Sequence, residues 1–200
     1  RDLAAHSTIP IVNHLDDFAH PMQMLADILT ISENKDLGGK IKMAYLGDTN
    51  NNVTYDLMRL AAVVGFEIAV SGPEGDEFAI EDEVLKECEE LCKVSGGKVT
   101  WTHDAAEAVK GADVIYTDSW MSYTVDAALK ERRMGILMPY QVNAALMAKA
   151  KPDAIFMNCL PAMRGMEQTA EVIDGPQSVC FDQAENRKHS QKAYFLWLFQ

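Results

Sequence analysis

Apolar runs of four to six residues alternate along this chain with longer stretches in which apolar residues recur at helical spacing. Strands buried on both faces are continuous apolar runs, so the pattern points to a parallel sheet covered by helices. It predicts strands at Lys42–Leu46, Glu67–Val70, Lys98–Trp101, Asp113–Tyr116, Ala154–Met157 and Ser178–Phe181, each short and rich in β-branched or aromatic side chains. Helices are predicted at about 52–64, 81–95, 104–110 and 141–149, with a terminal helix from about 185; Gly65, Gly96-Gly97 and Gly111 act as stops. An earlier helix runs from Pro21 to about Ile31, and Gly38-Gly39 marks a joint between it and the first strand. The expected fold class is α/β, a Rossmann-like parallel sheet with helices on both faces.

An open parallel sheet binds ligands beyond the carboxyl ends of its strands. The residues that follow the predicted strands are polar: Gly47-Asp48-Thr49-Asn50-Asn51-Asn52, Thr117-Asp118-Ser119-Trp120-Met121-Ser122, Asn158-Cys159-Leu160-Pro161 and Asp182-Gln183-Ala184-Glu185-Asn186-Arg187. The first has only Gly47 where a dinucleotide phosphate needs three glycines, which argues against a nicotinamide cofactor. Its run of Asn equally suits a turn and helix cap. Asp118, shielded by Trp120 and Ser122, fits a carboxylate that recognises an ammonium group; a helix cap is the alternative. Cys159 has no neighbouring His to activate it as a nucleophile and fits a buried structural thiol better. His20 precedes Pro21 at a helix start, where free N–H groups suit an anion, although a His-Pro start needs no function. Arg187, at the predicted start of the terminal helix, would meet the unfavourable end of the dipole. A bound anion or developing oxyanion explains that placement, and so does a surface salt bridge.

Charge and cysteine content narrow the classes. The 200 residues carry 18 Lys and Arg against 30 Asp and Glu, a formal charge of −12 that would repel a nucleic-acid backbone or an anionic membrane. Anionic ligands would then need local cations. No apolar run approaches the roughly 18 residues of a membrane span. Four cysteines at irregular spacing predict a reducing compartment, the cytoplasm or else the mitochondrial matrix. Cys88 and Cys92 stand one helical turn apart without a second metal-binding pair, so helix packing is expected there and no metal site. The opening residues Arg1-Asp2-Leu3-Ala4-Ala5-His6 have neither initiator Met nor apolar signal segment and look like the middle of a longer protein.

Taken in order, His20-Pro21-Met22-Gln23, Asp48-Thr49-Asn50-Asn51-Asn52-Val53, Asp118-Ser119-Trp120-Met121-Ser122, Cys159-Leu160-Pro161-Ala162 and Glu185-Asn186-Arg187 resemble the signature of the ornithine carbamoyltransferases. The likeness also takes in Pro139–Asn143, Lys151–Phe156 and Glu171–Gly175. The aspartate branch of that superfamily has a different loop in place of Cys159-Leu160-Pro161. The resemblance implies transfer of a carbamoyl group from carbamoyl phosphate to the side-chain amine of L-ornithine, giving L-citrulline and phosphate, with no cofactor and no metal. It also implies a homotrimer.

By the same resemblance, His20 and Gln23 would meet the carbamoyl group, with Arg187 assisting at its carbonyl oxygen. Asn52 would bind the ornithine α-carboxylate and Asp118 its α-ammonium, with Ser122 and the neighbouring Tyr123 at the same end. Cys159 and the backbone of Leu160 would line the place where the amine attacks. The implied organisation adds the tail of a second α/β domain: residues 1–31 end a carbamoyl-phosphate domain, 32–184 form the ornithine-binding domain, and 185–200 are a helix returning to the first. The chain departs from the family pattern in lacking its Ser-x-Arg-Thr-Arg phosphate loop, in Tyr123 where Met is usual, and in Asn158 where His is usual. A carbamoyltransferase for putrescine or an acylated ornithine is the nearest alternative, and a non-catalytic paralogue a more distant one. Asp118 and Asn52 favour ornithine, because putrescine has neither α-carboxylate nor α-ammonium.

Overall fold

The computed structural model describes residues 2–121 and 125–200. Its elements in chain order are α1 (Asp2–His6), α2 (Pro21–Asn34), β1 (Lys42–Leu46), α3 (Asn52–Val64), β2 (Glu67–Ser71), α4 (Asp82–Ser95), β3 (Lys98–Thr102), α5 (Ala105–Val109), β4 (Val114–Thr117), α6 (Lys130–Leu137), α7 (Ala144–Met147), β5 (Ile155–Asn158), α8 (Ala170–Ile173) and α9 (Cys180–Leu198). The strands form one parallel sheet in the order β3-β2-β1-β4-β5.

Alternation along the strands fills both faces. Met43 and Tyr45 of β1 join a core with Met24, Ile31, Leu57, Met58, Val84 and Cys88 from α2, α3 and α4. Ala44 and Leu46 turn to a second core with Ala105, Ala108, Val109, Leu146, Met147, Val172 and Ile173 from α5, α7 and α8. Helix ends follow local chemistry: the Asn51 side chain accepts from the Thr54 N–H at 2.8 Å to cap α3, and Gly65 closes it in the left-handed conformation, φ 81°.

The predicted sixth strand is not one. Ser178 makes a single parallel bridge to Phe156, and α9 begins two residues later. Val179 and Cys180 enter opposite cores, as neighbours in a strand would, which explains the misleading pattern. The Gln183 N–H then bonds to the Val179 carbonyl at 2.8 Å and closes a helical turn instead. The terminal helix therefore starts at Cys180 rather than near 185. Similarly, the helix expected over 141–149 shrinks to Ala144–Met147, capped by Asn143, because Val142 is drawn into a bridge with Gln168. The charged run Lys130-Glu131-Arg132-Arg133 hid α6. Both α2 and α9 are continuous through the boundaries expected at 31/32 and 184/185.

Strand β1 has β2 on one side and β4 on the other, so the connections leaving β1 and β4 diverge and open a crevice at their carboxyl ends. The Thr117 hydroxyl donates to the Leu46 carbonyl at 2.7 Å and ties those two ends together. Gly47, at φ 132°, leaves room for Trp120: a Cβ there would lie 2.9 Å from the indole nitrogen. Trp120 itself is buried with Phe78, Leu137 and Met166 in a small third core beside the crevice. Among the described residues no helix is long and apolar enough to cross a membrane, and no group of three or more His, Cys, Asp or Glu side chains is placed to hold a metal ion.

Candidate active site

Two clusters of the predicted residues meet at the crevice. The first lies between α2 and α9. The Arg187 Nη1 donates to Gln23 Oε1 at 2.6 Å and stands 3.4 Å from His20 Nε2. The His20 backbone N–H donates to Asp56 at 2.6 Å, which fixes the start of α2 on α3, and its Nδ1 is 2.6 Å from the His14 carbonyl. A proton on Nδ1 satisfies that carbonyl and leaves Nε2 as a lone pair facing Arg187. Burial and the adjacent guanidinium push His20 down to about 4, so the ring is neutral at pH 7. Arg187 is not at a helix start as expected: it lies about two turns inside α9. Its position owes nothing to the dipole end and is set by Gln23.

The second cluster lies at the ends of β4 and β5. Asp118 is buried, and its Oδ1 accepts the Cys159 thiol at 2.9 Å. Burial pushes Asp118 above its ordinary range, against the bonds from Cys159 and Ser119, and among the described residues no cation pairs with it. Burial beside that carboxylate also drives Cys159 well up, so it is a thiol and a donor. Leu160 adopts φ 56°, a left-handed conformation that costs a branched residue on the order of 1–2 kcal/mol. The Asn158 side chain holds it there by accepting the Leu160 N–H at 2.8 Å, and Asn158 Nδ2 donates to Gln168 at 3.1 Å. Asn158 thus braces the turn from inside and presents no group to the crevice. Asn52, at the start of α3, donates to the Asp16 carbonyl at 2.7 Å. Ser122 and Tyr123 lie outside the described residues.

A buried chain joins the clusters. Gln23 Nε2 donates to Asp27 Oδ1 at 2.8 Å, Gln183 Nε2 donates to the same oxygen at 2.7 Å, and the Asn158 N–H donates to Gln183 Oε1 at 3.0 Å. Tyr116 adds a 3.0 Å bond to Asp27 Oδ2. Burial raises Asp27 to about 6 against these donors. A further hub is Arg133, buried on α6, which pairs with Asp48, donates to Glu77 at 2.6 Å and to the Trp120 carbonyl at 3.1 Å, and lies over the Phe78 ring. Sequence reasoning passed over Asp27 and Arg133, since mid-helix polar residues look like solvent-facing ones until the packing is known, and it took Gln183 for part of a crevice loop, where the structure buries it inside α9.

Comparison with known proteins fits this geometry. A family model described as aspartate/ornithine carbamoyltransferase, Asp/Orn binding domain, matches residues 39–198. The chain belongs to that carbamoyltransferase family. Within it, the ornithine carbamoyltransferase of Thermococcus kodakarensis is 50% identical over 192 residues, 96% of this chain and 60% of that protein. The anabolic ornithine carbamoyltransferase of Pyrococcus furiosus is 49% identical over the same shares, 96% and 60%. Among solved structures, ornithine carbamoyltransferase from Pyrococcus furiosus superposes with a TM-score of 0.90 at 48% identity, covering 97% of this chain and 61% of that one. Ornithine transcarbamoylase from Giardia lamblia gives 0.87 at 48% identity, covering 95% and 63%. The chain thus spans about three fifths of the length of these carbamoyltransferase relatives.

Proposed function

We propose that the protein containing this aspartate/ornithine-binding domain transfers the carbamoyl group of carbamoyl phosphate to the side-chain amine of L-ornithine, yielding L-citrulline and phosphate. The observation that carries the reading is Asp118, a buried carboxylate without a cation among the described residues, in contact with the Cys159 thiol at the switch point of the sheet. An ammonium ion would relieve the cost of burying that charge. Across the crevice, Arg187 is the cation suited to the oxyanion that forms when the amine nitrogen bonds to the carbamoyl carbon and before the phosphate oxygen leaves. His20, whose unprotonated Nε2 lies beside the Arg187 guanidinium, accepts from the carbamoyl NH2 group, and Gln23 holds Arg187 in register. Positioning of two small substrates supplies much of the rate. Cys159, held as a thiol, is a contact and not a nucleophile.

In this reading the remainder of the protein supplies the phosphate grip and covers the end of α9, where Phe195, Leu196 and Phe199 are exposed beside a hollow of about 840 Å³ that also borders Arg187. Residues 1–31 and 185–200 belong to that contact, the assembly is a trimer, and the four free cysteines support a reducing compartment, the cytoplasm or else the mitochondrial matrix.

The test is an acceptor screen with carbamoyl phosphate on the complete enzyme. Citrulline formation with L-ornithine should exceed product formation with putrescine or an acylated ornithine; equal or better turnover with either of those overturns the assignment. A second expectation concerns Asp118→Asn, which should raise the ornithine KM by about tenfold or more and leave the carbamoyl phosphate KM nearly unchanged, since a charge-assisted contact to one substrate alone is removed. An ornithine KM near wild type would return Asp118 to a purely structural part.

A further inference from the structure

Glu167 is fully buried and belongs to no motif of the crevice. Its Oε1 accepts the Trp120 N–H at 3.3 Å and its Oε2 accepts the Met163 N–H at 3.0 Å. The first amide is two residues from Asp118 in the loop after β4, and the second is four residues from Cys159 in the loop after β5. One carboxylate therefore spans the two loops that present Asp118 and Cys159 to each other.

Its mounting is firm. The Glu167 carbonyl accepts the Val142 N–H at 2.9 Å, and Gln168 beside it accepts from Asn158 at 3.1 Å and donates to the Met163 carbonyl at 3.3 Å. The Trp120 carbonyl is meanwhile gripped by Arg133. Trp120 is thus held at both ends of its main chain, by a carboxylate at the N–H and a guanidinium at the carbonyl.

We infer that Glu167 is the positioning residue of the acceptor site: its two oxygens set the separation of the Asp118 and Cys159 loops, and so the geometry in which the amine is received. This rests on the carbamoyl-transfer reading above only for the identity of the amine. Supporting it, burial pushes the Glu167 carboxyl up, yet two backbone N–H donors are supplied to its charged form, a cost with no return if the residue merely filled space.

Glu167→Gln tests this, because the amide keeps the volume but offers one acceptor oxygen, and its NH2 group opposes the other backbone N–H. In the complete enzyme the ornithine KM should rise about tenfold and the carbamoyl phosphate KM stay within about twofold, on the scale of one lost charge-assisted bond. Glu167→Asp, with both oxygens on a shorter stem, should fall between wild type and Glu167→Gln. Hydrogen exchange on the ligand-free enzyme should speed up at Trp120 or Met163 in Glu167→Gln while β1 and β4 keep their protection. Parallel changes in both KM values, a reversed order of the two variants, or unchanged exchange at both amides would overturn the inference. Were wild type to make no citrulline, the functional reading would fall, and the exchange measurement would still decide whether Glu167 braces the loops.

Discussion

Replacing Arg187 with alanine in the complete enzyme should lower turnover by about a hundredfold or more, the scale seen when one oxyanion donor is removed. The guanidinium is held before substrate arrives: Gln23 accepts from it at 2.6 Å, and Gln23 is in turn fixed by Asp27 at 2.8 Å. On the proposed carbamoyl transfer, a donor held in this way needs no reorganisation as charge develops on the carbamoyl oxygen. His20 cannot take over, because its Nδ1 proton is engaged at the His14 carbonyl and burial, the larger cause of its lowered value, persists without Arg187 and leaves Nε2 without a proton to donate. Steady-state kinetics with both substrates varied should put the loss in kcat, with the ornithine KM little changed, since Asp118 is on the other side of the crevice. A fall below about fivefold would leave Arg187 as a structural partner of Gln23 and not a donor to the reacting group.

The largest stability effect should come from Arg133→Met. Arg133 is 4% exposed, and its guanidinium serves Asp48, Glu77 and the Trp120 carbonyl together. Methionine fills part of the volume and removes the charge. Burial raises Asp48 to about 6 even with Arg133 opposing it, so without that cation the buried carboxylate must either stay charged unpaired or take up a proton to fold. Breaking a buried pair from one side costs about 3–5 kcal/mol. Denaturant unfolding of the variant against wild type measures this. A loss under about 1 kcal/mol would show that water reaches Asp48 as it does a surface carboxylate.

Much of the architecture could be inferred from residue order because strands buried on both faces leave uninterrupted apolar runs, and Gly65 and Gly96 end helices where left-handed backbone is required. Ser178–Phe181 misled for a definite reason: a segment crossing from one core to the other resembles a strand for two residues, and only the closing bond from Gln183 to Val179 shows that it is helical. The crevice residues His20, Gln23, Asp118, Cys159 and Arg187 were visible as polar positions beside apolar runs or in motifs. Most of their supports were not. Asp27, Arg133 and Glu167 owe their roles to burial, as does Gln183, which read as a loop residue, and burial of a polar residue depends on which elements pack over it. The same limit applies to Arg187, whose residue type was informative while the dipole argument attached to it was wrong.

The route from Arg187 through Gln23, Asp27 and Gln183 to Asn158 carries one more consequence. Hydrogen bonds have no preferred direction of influence, and binding free energies obey reciprocity. If a carbamoyl donor settling against Arg187 improves the affinity of the Asp118 and Cys159 side for its amine by some factor, the amine must improve donor binding by the same factor. Any such coupling would show as an affinity for either substrate that shifts with the concentration of the other, by the same factor in both directions.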